Sequence, residues 1–135
     1  MKYLLDTNTC IRFLNGRSEN IKKKMRITEP EEIVLCSIVK AELFYGSLKS
    51  KHPEKNLKKQ YDFVNQFRSL PFDDSAAEKY GKIRADLEMK GQVIGPNDLL
   101  IASISIANDV ILVTHNSIEF SRIDGLQMED WELGE

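Results

Sequence analysis

The sequence contains few of the residues that mark a disulfide scaffold or a zinc site. It has two cysteines and two histidines in 135 residues. No second cysteine or histidine stands near either cysteine at the spacing of zinc ligands. Cys10 and Cys36 both lie among apolar neighbours, so we expect buried free thiols in a reducing compartment.

Long hydrophobic runs are also missing. The longest nearly apolar stretch, residues 99–107, has nine residues and includes two serines, whereas a membrane-spanning helix needs about 20 apolar residues. The apolar start of the chain is interrupted by Asp6 before a secretory signal could develop. We therefore expect no membrane association and a cytoplasmic location.

The chain has no excess of positive charge, since its formal net charge is −2. Binding a polyanion would therefore need local basic groups. Two lysine-rich segments, 22–26 and 49–59, could supply them, although solvated helix faces explain either segment alone. With 41% apolar and 30% charged residues, residues 1–135 are typical of one folded domain that buries roughly two thirds of its unfolded-chain surface.

Short apolar runs alternate with helical patterns along the chain. The runs predict strands near residues 2–5, 33–36, 70–72 and 110–114. Helices are predicted over residues 9–14 and 19–27, and two more begin at residue 53 or 54 and at Pro96. A helix capped by Ser37 is predicted from residue 38 to about residue 50, and one capped by Ser75 is predicted to end at residue 90. This alternation indicates an α/β fold with a short, mostly parallel sheet of about four or five strands, covered by helices on both faces.

Polar residues follow these predicted strands or open the helices. Asp6 and Asn116 come directly after strands, Glu42 lies early in a helix, and Asp98 lies in the first turn of another. Ligand groups gather at the carboxyl ends of parallel strands. Taken singly, Asp6 could cap a turn, Asp98 could complement a helix dipole, and Glu42 could pair with Lys40.

Gathered at one edge, these carboxylates would repel one another unless a cation lay between them. Mg²⁺ or Mn²⁺ suits such a site, because both ions take oxygen ligands and are often bound by one or two carboxylates plus a substrate phosphate. The site therefore favours phosphodiester chemistry. His52 and His115 do not form a zinc ligand set, since neither has a second nitrogen or sulfur partner.

Several segments together, in their order and spacing, resemble the PIN-domain ribonucleases, and within them the VapC-type toxins. The resemblance covers nearly the whole chain. It rests on residues 3–9 (YLLDTNT), 37–43 (SIVKAEL), 94–98 (IGPND), 112–116 (LVTHN), 119–120 (EF) and 125–131 (GLQMEDW).

The resemblance implies a PIN-like three-layer fold and a metal-dependent endoribonuclease toxin that inhibits growth or translation. Asp6, Glu42 and Asp98 would form its acidic triad, and Asn116 would occupy the fourth position, where many relatives carry aspartate. We expect Asp6 and Asp98 to contact Mg²⁺ or Mn²⁺ directly, and Glu42 and Asn116 to act through water. Glu119 is expected at the periphery, partly compensating for the neutral Asn116.

The resemblance also implies partners. A cognate antitoxin would block the acidic site with its C-terminal segment, and the apolar side chains around Tyr61 and Phe67 would suit it. Homodimerisation is typical of such toxins, and RNA is the expected substrate.

Two alternatives remain open from the sequence. The segment Asp6-Thr7-Asn8-Thr9 partly matches the Asp-x-Asp-x-Thr motif of haloacid-dehalogenase-type phosphatases, but Asn8 stands where the acid/base aspartate should be. The neutral Asn116 and the negative net charge would instead fit a catalytically inert module that binds an antitoxin or RNA.

Overall fold

A computed structural model describes residues 2–133, in which a five-stranded sheet is combined with seven α-helices. The strands are β1 (Tyr3–Leu5), β2 (Ile33–Cys36), β3 (Arg68–Leu70), β4 (Ile111–Val113) and β5 (Met128–Glu129). The helices are α1 (Thr7–Leu14), α2 (Glu19–Ile27), α3 (Ser37–Lys49), α4 (Pro53–Val64), α5 (Asp74–Met89), α6 (Pro96–Ala107) and α7 (Ser117–Phe120). A 3₁₀ turn, Pro30–Glu32, precedes β2.

The sheet has the order β3-β2-β1-β4-β5, and all its neighbouring strands run parallel. Tyr3 of the central strand lies opposite Ile33 on one side and Ile111 on the other. The chain first builds outward through β2 and β3, and then returns to the other side of β1 to add β4 and β5. Such a reversal leaves a crevice at the carboxyl ends of the central strands, where ligands bind in open α/β sheets. The structure confirms the predicted α/β class and parallel sheet.

Helices cover both faces of this sheet. All four residues of β2 are buried, and since successive strand residues point to opposite faces, both faces must be covered. Helix α6 is largely buried and packs against α5, while α3 packs against α4. Among residues 2–133, no helix combines the length and apolar character needed to cross a membrane.

Cys10 and Cys36 are free and fully buried, as predicted. The helix at Glu19–Ile27 and the strand at Ile33–Cys36 have the predicted bounds. The predicted strand over 110–114 is shorter, Ile111–Val113.

Four predicted boundaries were wrong. Helix α1 begins at Thr7 rather than at Thr9, because Asp6 is its N-cap. Ser37 is the first residue of α3 rather than its cap, because the extended backbone of β2 continues through Cys36. Asp73, not Ser75, caps α5, and its Oδ1 accepts a hydrogen bond from the Ala76 amide at 3.0 Å. The third strand is Arg68–Leu70 rather than residues 70–72, since an edge strand needs only one buried side and Pro71 cannot donate to the ladder.

Candidate active site

Asp6 is fixed where the central strand turns into the first helix. Its amide donates to the Val113 carbonyl at 3.0 Å and so extends the β1–β4 ladder by one residue. Its Oδ1 accepts a hydrogen bond from the Thr9 amide at 2.8 Å, which makes Asp6 the N-cap of α1. The side chain is 6% exposed. The capping role considered from the sequence is therefore real, and it also holds the carboxylate at the carboxyl edge of the sheet.

Glu42 joins three helices at the same edge. It extends from the second turn of α3, and its Oε1 accepts a hydrogen bond from the Thr7 hydroxyl on α1. Its Oε2 accepts a hydrogen bond from Asn97 Nδ2 on α6 at 3.2 Å. Glu42 therefore has two neutral donors rather than the cationic partner Lys40 considered from the sequence.

Asp98 and Glu119 approach each other at Gly95. A Cβ atom added to Gly95 would lie 3.7 Å from Asp98 Oδ2 and 3.8 Å from Glu119 Oε1. The Gly95 amide donates to Glu119 Oε1 at 2.8 Å. Pro96 opens α6 directly after this glycine and places Asp98 in the first helical turn, as predicted.

Asn116 contacts Glu119 as well. It precedes α7, its amide donates to the Thr114 hydroxyl at 3.0 Å, and its Nδ2 donates to Glu119 Oε2 at 3.1 Å. The residue expected to be peripheral, Glu119, is thus bound to the fourth-position residue and lies beside Asp98.

The pKa values show how closely these carboxylates interact. Burial raises the pKa of Asp98 to about 6, and the negative charges of Glu119, Asp6 and Glu42 add to the rise. Burial also raises the pKa of Asp6, although the hydroxyl of Thr114 and the Thr9 backbone oppose the rise. The pKa of Glu119 is lowered, because it accepts hydrogen bonds from Gly95 and Asn116. Burial first, and the neighbouring charges second, therefore disfavour the ionised form of Asp98.

The donor set fits a hard divalent cation. Among residues 2–133, none of these four carboxylates forms a salt bridge with a lysine, arginine or histidine. The charge of Arg122 contributes to the lowered pKa of Glu119, but no ion pair within residues 2–133 offsets the repulsion among the other three carboxylates. Mg²⁺ and Mn²⁺ prefer such oxygen ligands and retain several waters, so one or two of these carboxylates could ligate the ion directly and the others could act through water.

A second polar group lies beside this site at the ends of β4 and β5. In the described part of the chain, the one trio of acidic or imidazole side chains with ligand atoms within 4.8 Å of one another is His115, Asp130 and Glu132. His115 Nδ1 lies 2.8 Å from Asp130 Oδ2 and 3.3 Å from Glu132 Oε2. Asp6, Glu42 and Asp98 are thus spaced more widely than this trio.

The trio could hold a metal ion, or a proton shared between the ring and Asp130. Glu132 also forms an ion pair with Arg12. A cavity of about 490 Å³ is lined by this group and by the primary site, through Asp6, Asn8, Ile11, Arg12, His115, Asn116 and Glu132.

Sequence reasoning missed Asp130 and Glu132. Both belong to the C-terminal segment that pairs with β4 through only two strand residues, Met128–Glu129. No apolar run in the sequence predicts that strand. The signal that could have found them is Trp131, which is 2% exposed and packs near Tyr3: a buried aromatic residue near the end of the chain ties its neighbours to the core.

A comparison with known families matches residues 3–126 to the PIN domain. The chain is 38% identical to the tRNA(fMet)-specific endonuclease VapC of Salmonella typhimurium over 97% of this chain and 98% of that protein. It is 41% identical to the ribonuclease VapC2 of Rickettsia felis over 98% of this chain and 99% of that protein.

The fold also matches solved structures of VapC-type proteins. The crystal structure of DNA-bound VapBC from Salmonella typhimurium contains a chain that superimposes with a TM-score of 0.91 at 38% identity, covering 97% of this chain and 98% of that one. These matches favour the nuclease prediction over the phosphatase alternative. The chain therefore belongs to the PIN-domain family and, within it, to the VapC-type ribonucleases.

Proposed function

We propose that this protein is the toxin of a toxin–antitoxin pair and cleaves RNA phosphodiester bonds as a Mg²⁺- or Mn²⁺-dependent endoribonuclease. The observation that carries the proposal is the gathering of four carboxylates at one edge of the sheet, none of them in a salt bridge within residues 2–133. Burial and the charges of the other three raise the pKa of Asp98 to about 6. A site with this charge distribution gains most from a divalent cation, and its edge location in the sheet is open to a phosphate.

Asp6 and Asp98 are the residues proposed to hold the ion. When bound, the ion lowers the pKa of a coordinated water and neutralises charge on the phosphate oxygens. Asp98 must lose its proton for this role, and Asp6 is oriented for it by the Thr9 amide. Glu42, held between Thr7 and Asn97, is proposed to orient the attacking water and accept its proton.

Asn116 is proposed to contribute through its neighbour rather than through charge. Its amide nitrogen is engaged by Glu119, and this hydrogen bond helps to keep Glu119 ionised beside Asp98. The negative charge that many relatives carry at the fourth position is then supplied from Glu119.

The partners follow from the relatives. The Salmonella protein named above is a tRNA(fMet)-specific endonuclease, and solved relatives are VapBC complexes. We propose that a cognate antitoxin blocks this acidic site with its C-terminal segment, and that a structured RNA such as a tRNA is the substrate. Homodimerisation and a cytoplasmic location, where such an RNA is found, remain part of the proposal.

Expression of the chain without its antitoxin tests the toxin assignment. Growth should stop on induction of the wild-type chain and continue on induction of Asp6→Asn at equal protein levels. Asparagine suits this control because it caps a helix about as well as aspartate. Continued growth with well-folded wild-type protein would contradict the assignment.

Metal binding can be measured apart from activity. Added Mn²⁺ should stabilise the wild-type protein, by about 2.7 kcal/mol of unfolding free energy at a concentration 100 times the dissociation constant. This stabilisation should appear as a higher unfolding temperature. Asp98→Asn should show a much smaller rise. An equal rise in both proteins would show that Asp98 does not bind the ion.

A further inference from the structure

A second cavity opens beside Glu42. It has a volume of about 290 Å³ and lies between α1, α3 and α4. Glu42 belongs to its lining, together with Gly46, Ser47, Lys59 and Gln60. Since Glu42 is also part of the acidic site, a nucleotide next to the scissile phosphate would lie at the mouth of this cavity.

Two polar atoms at this cavity lack partners. Ser47 Oγ and Gln60 Oε1 are buried, and neither has a hydrogen-bond partner within residues 2–133. Ser47 is only 4% exposed. Buried polar atoms are nearly always hydrogen-bonded, so the pair indicates a ligand with its own donor and acceptor groups.

The rest of the lining is a mixture of aliphatic and amide side chains. Ile11, Leu14 and Leu43 contribute apolar surface, and Asn15 and Asn56 contribute amides. A nucleobase matches this mixture, since its faces are apolar enough to pack on side chains and its edges carry donors and acceptors. The volume is near the lower limit of about 300 Å³ for small-molecule pockets, which suits one base.

The charge around the cavity favours a nucleic acid. Residues 49–59 contain five lysines and one glutamate, although the whole chain has a net charge of −2. Lys59 lies in the cavity lining itself. Lysines at this position would contact the phosphates that flank a bound base, because RNA affinity depends on neutralising the backbone.

We propose that this cavity binds one nucleobase of the RNA substrate, that of a nucleotide adjacent to the bond that is cut. The proposal rests on the ribonuclease function proposed above and adds a position at which the enzyme reads its substrate. Gln60 and Ser47 contact the edge of the base, Leu43 and Ile11 pack against it, and Lys59 binds a neighbouring phosphate.

Gly46 allows the cavity to be filled without disturbing the fold. A Cβ atom added there meets nothing within 4 Å, and the same is true of Gly81 in the distant helix α5. Both are exposed glycines inside helices. Gly46→Leu therefore fills the cavity, and Gly81→Leu is its matched control. A second variant, Gln60→Leu, replaces the amide that carries the unpaired oxygen with a shorter apolar side chain.

The experiment measures kcat/KM on RNA oligonucleotides copied from a cleavage site mapped in total RNA. In one set, each nucleotide in turn lacks its base. For the wild-type enzyme and Gly81→Leu, loss of one base next to the cut should lower kcat/KM by about tenfold or more. For Gly46→Leu, the intact RNA should already be cut that slowly, and loss of the same base should have no further effect. Gln60→Leu should show a reduced effect of the same base.

Three results would overturn the proposal. In the first, Gly46→Leu cuts as fast as wild type, whether or not it loses affinity for an antitoxin; the cavity would then serve a protein side chain or nothing. In the second, removal of each base lowers kcat/KM by the same factor in Gly46→Leu as in the wild-type enzyme. In the third, the wild-type enzyme cuts no RNA, which contradicts the ribonuclease function itself and removes the basis of the subsite.

Discussion

Asn116 Nδ2 donates a hydrogen bond to Glu119 Oε2 at 3.1 Å. The contact links a neutral residue at the fourth position of the site to a carboxylate three residues later. The hydrogen bonds from the Gly95 amide and from Asn116 lower the pKa of Glu119. Among the neighbouring charges that raise the pKa of Asp98, that of Glu119 has the largest effect. The site therefore carries its fourth negative charge on α7 rather than at residue 116.

Asn116→Asp should destabilise the metal-free protein. The substitution removes a donor from Glu119 and places a second carboxylate within hydrogen-bond distance of it, so the unfolding free energy at neutral pH should fall by about 0.5–1 kcal/mol. Urea unfolding in EDTA measures the change. The deficit should shrink near pH 4, where one of the two carboxyl groups is protonated, and on addition of Mn²⁺; a deficit independent of both would contradict the proposed repulsion.

Asp98 should make the metal-free protein less stable as pH rises. Its pKa is about 6 in the folded state and about 3.9 in an unfolded chain. Between these values the folded state binds more protons, so stability falls as pH increases through this window. Asp98→Asn removes the effect and should be about 1–2 kcal/mol more stable than wild type at about pH 8, after allowance for solvent screening of this half-buried group.

Asp62→Asn, on the exposed surface of α4, is a suitable control for Asp98→Asn. It should leave the pH dependence of unfolding unchanged. If Asp98→Asn and wild type have parallel stability curves from about pH 4 to about pH 8 in EDTA, the pKa of Asp98 is not raised in the folded protein, and the account of its burial and charge environment is wrong.

Asp6 variants should separate capping from catalysis. Asp6→Asn retains an oxygen that can accept from the Thr9 amide, whereas Asp6→Ala loses this N-cap bond. We expect Asp6→Ala to be about 1 kcal/mol less stable than Asp6→Asn, while both are inactive. Thermal unfolding and RNA cleavage, measured on the same preparations, check this; activity in Asp6→Asn would restrict Asp6 to its structural role.

His115 should titrate above its ordinary pKa of 6.5, because its Nδ1 is bonded to Asp130 and lies near Glu132. The pair's contribution to stability is complete below about 6.5 and is lost as pH rises through the folded pKa. NMR titration of the ring protons should give a pKa that falls in Asp130→Asn. An unchanged pKa in that variant would show that the two side chains do not interact in solution.

Much of this architecture could be predicted from local sequence signals. Apolar runs located the buried strands, and the acids directly after them located Asp6 and, through the Pro96 helix start, Asp98. The third strand was displaced because Arg68–Leu70 is a half-exposed edge strand without an apolar run. The cap of α5 was misplaced because Asp73 and Ser75 are both good caps, and only the backbone conformation decides between them.

Long-range side-chain pairing could not be predicted from the sequence. Nothing local shows that Glu119 contacts Gly95, because that contact depends on how α7 packs beside the start of α6. The contact of Glu119 with Asn116, by contrast, joins residues only three positions apart. Asp130 and Glu132 reach His115 through a two-residue strand whose partner lies about 15 residues earlier in the chain. Such long-range contacts follow from the sheet order, which short motifs do not encode.

The most direct test of the metal-dependent ribonuclease mechanism is cleavage of total cellular RNA by the purified chain, with Mg²⁺ or Mn²⁺ and with EDTA. Wild-type protein should produce defined RNA ends with either ion and none with EDTA, and Asp98→Asn should produce none under any condition. Equal cleavage in EDTA, or intact cleavage by Asp98→Asn, would contradict the mechanism. RNA binding without cleavage by folded wild-type protein would instead favour the inert binding module.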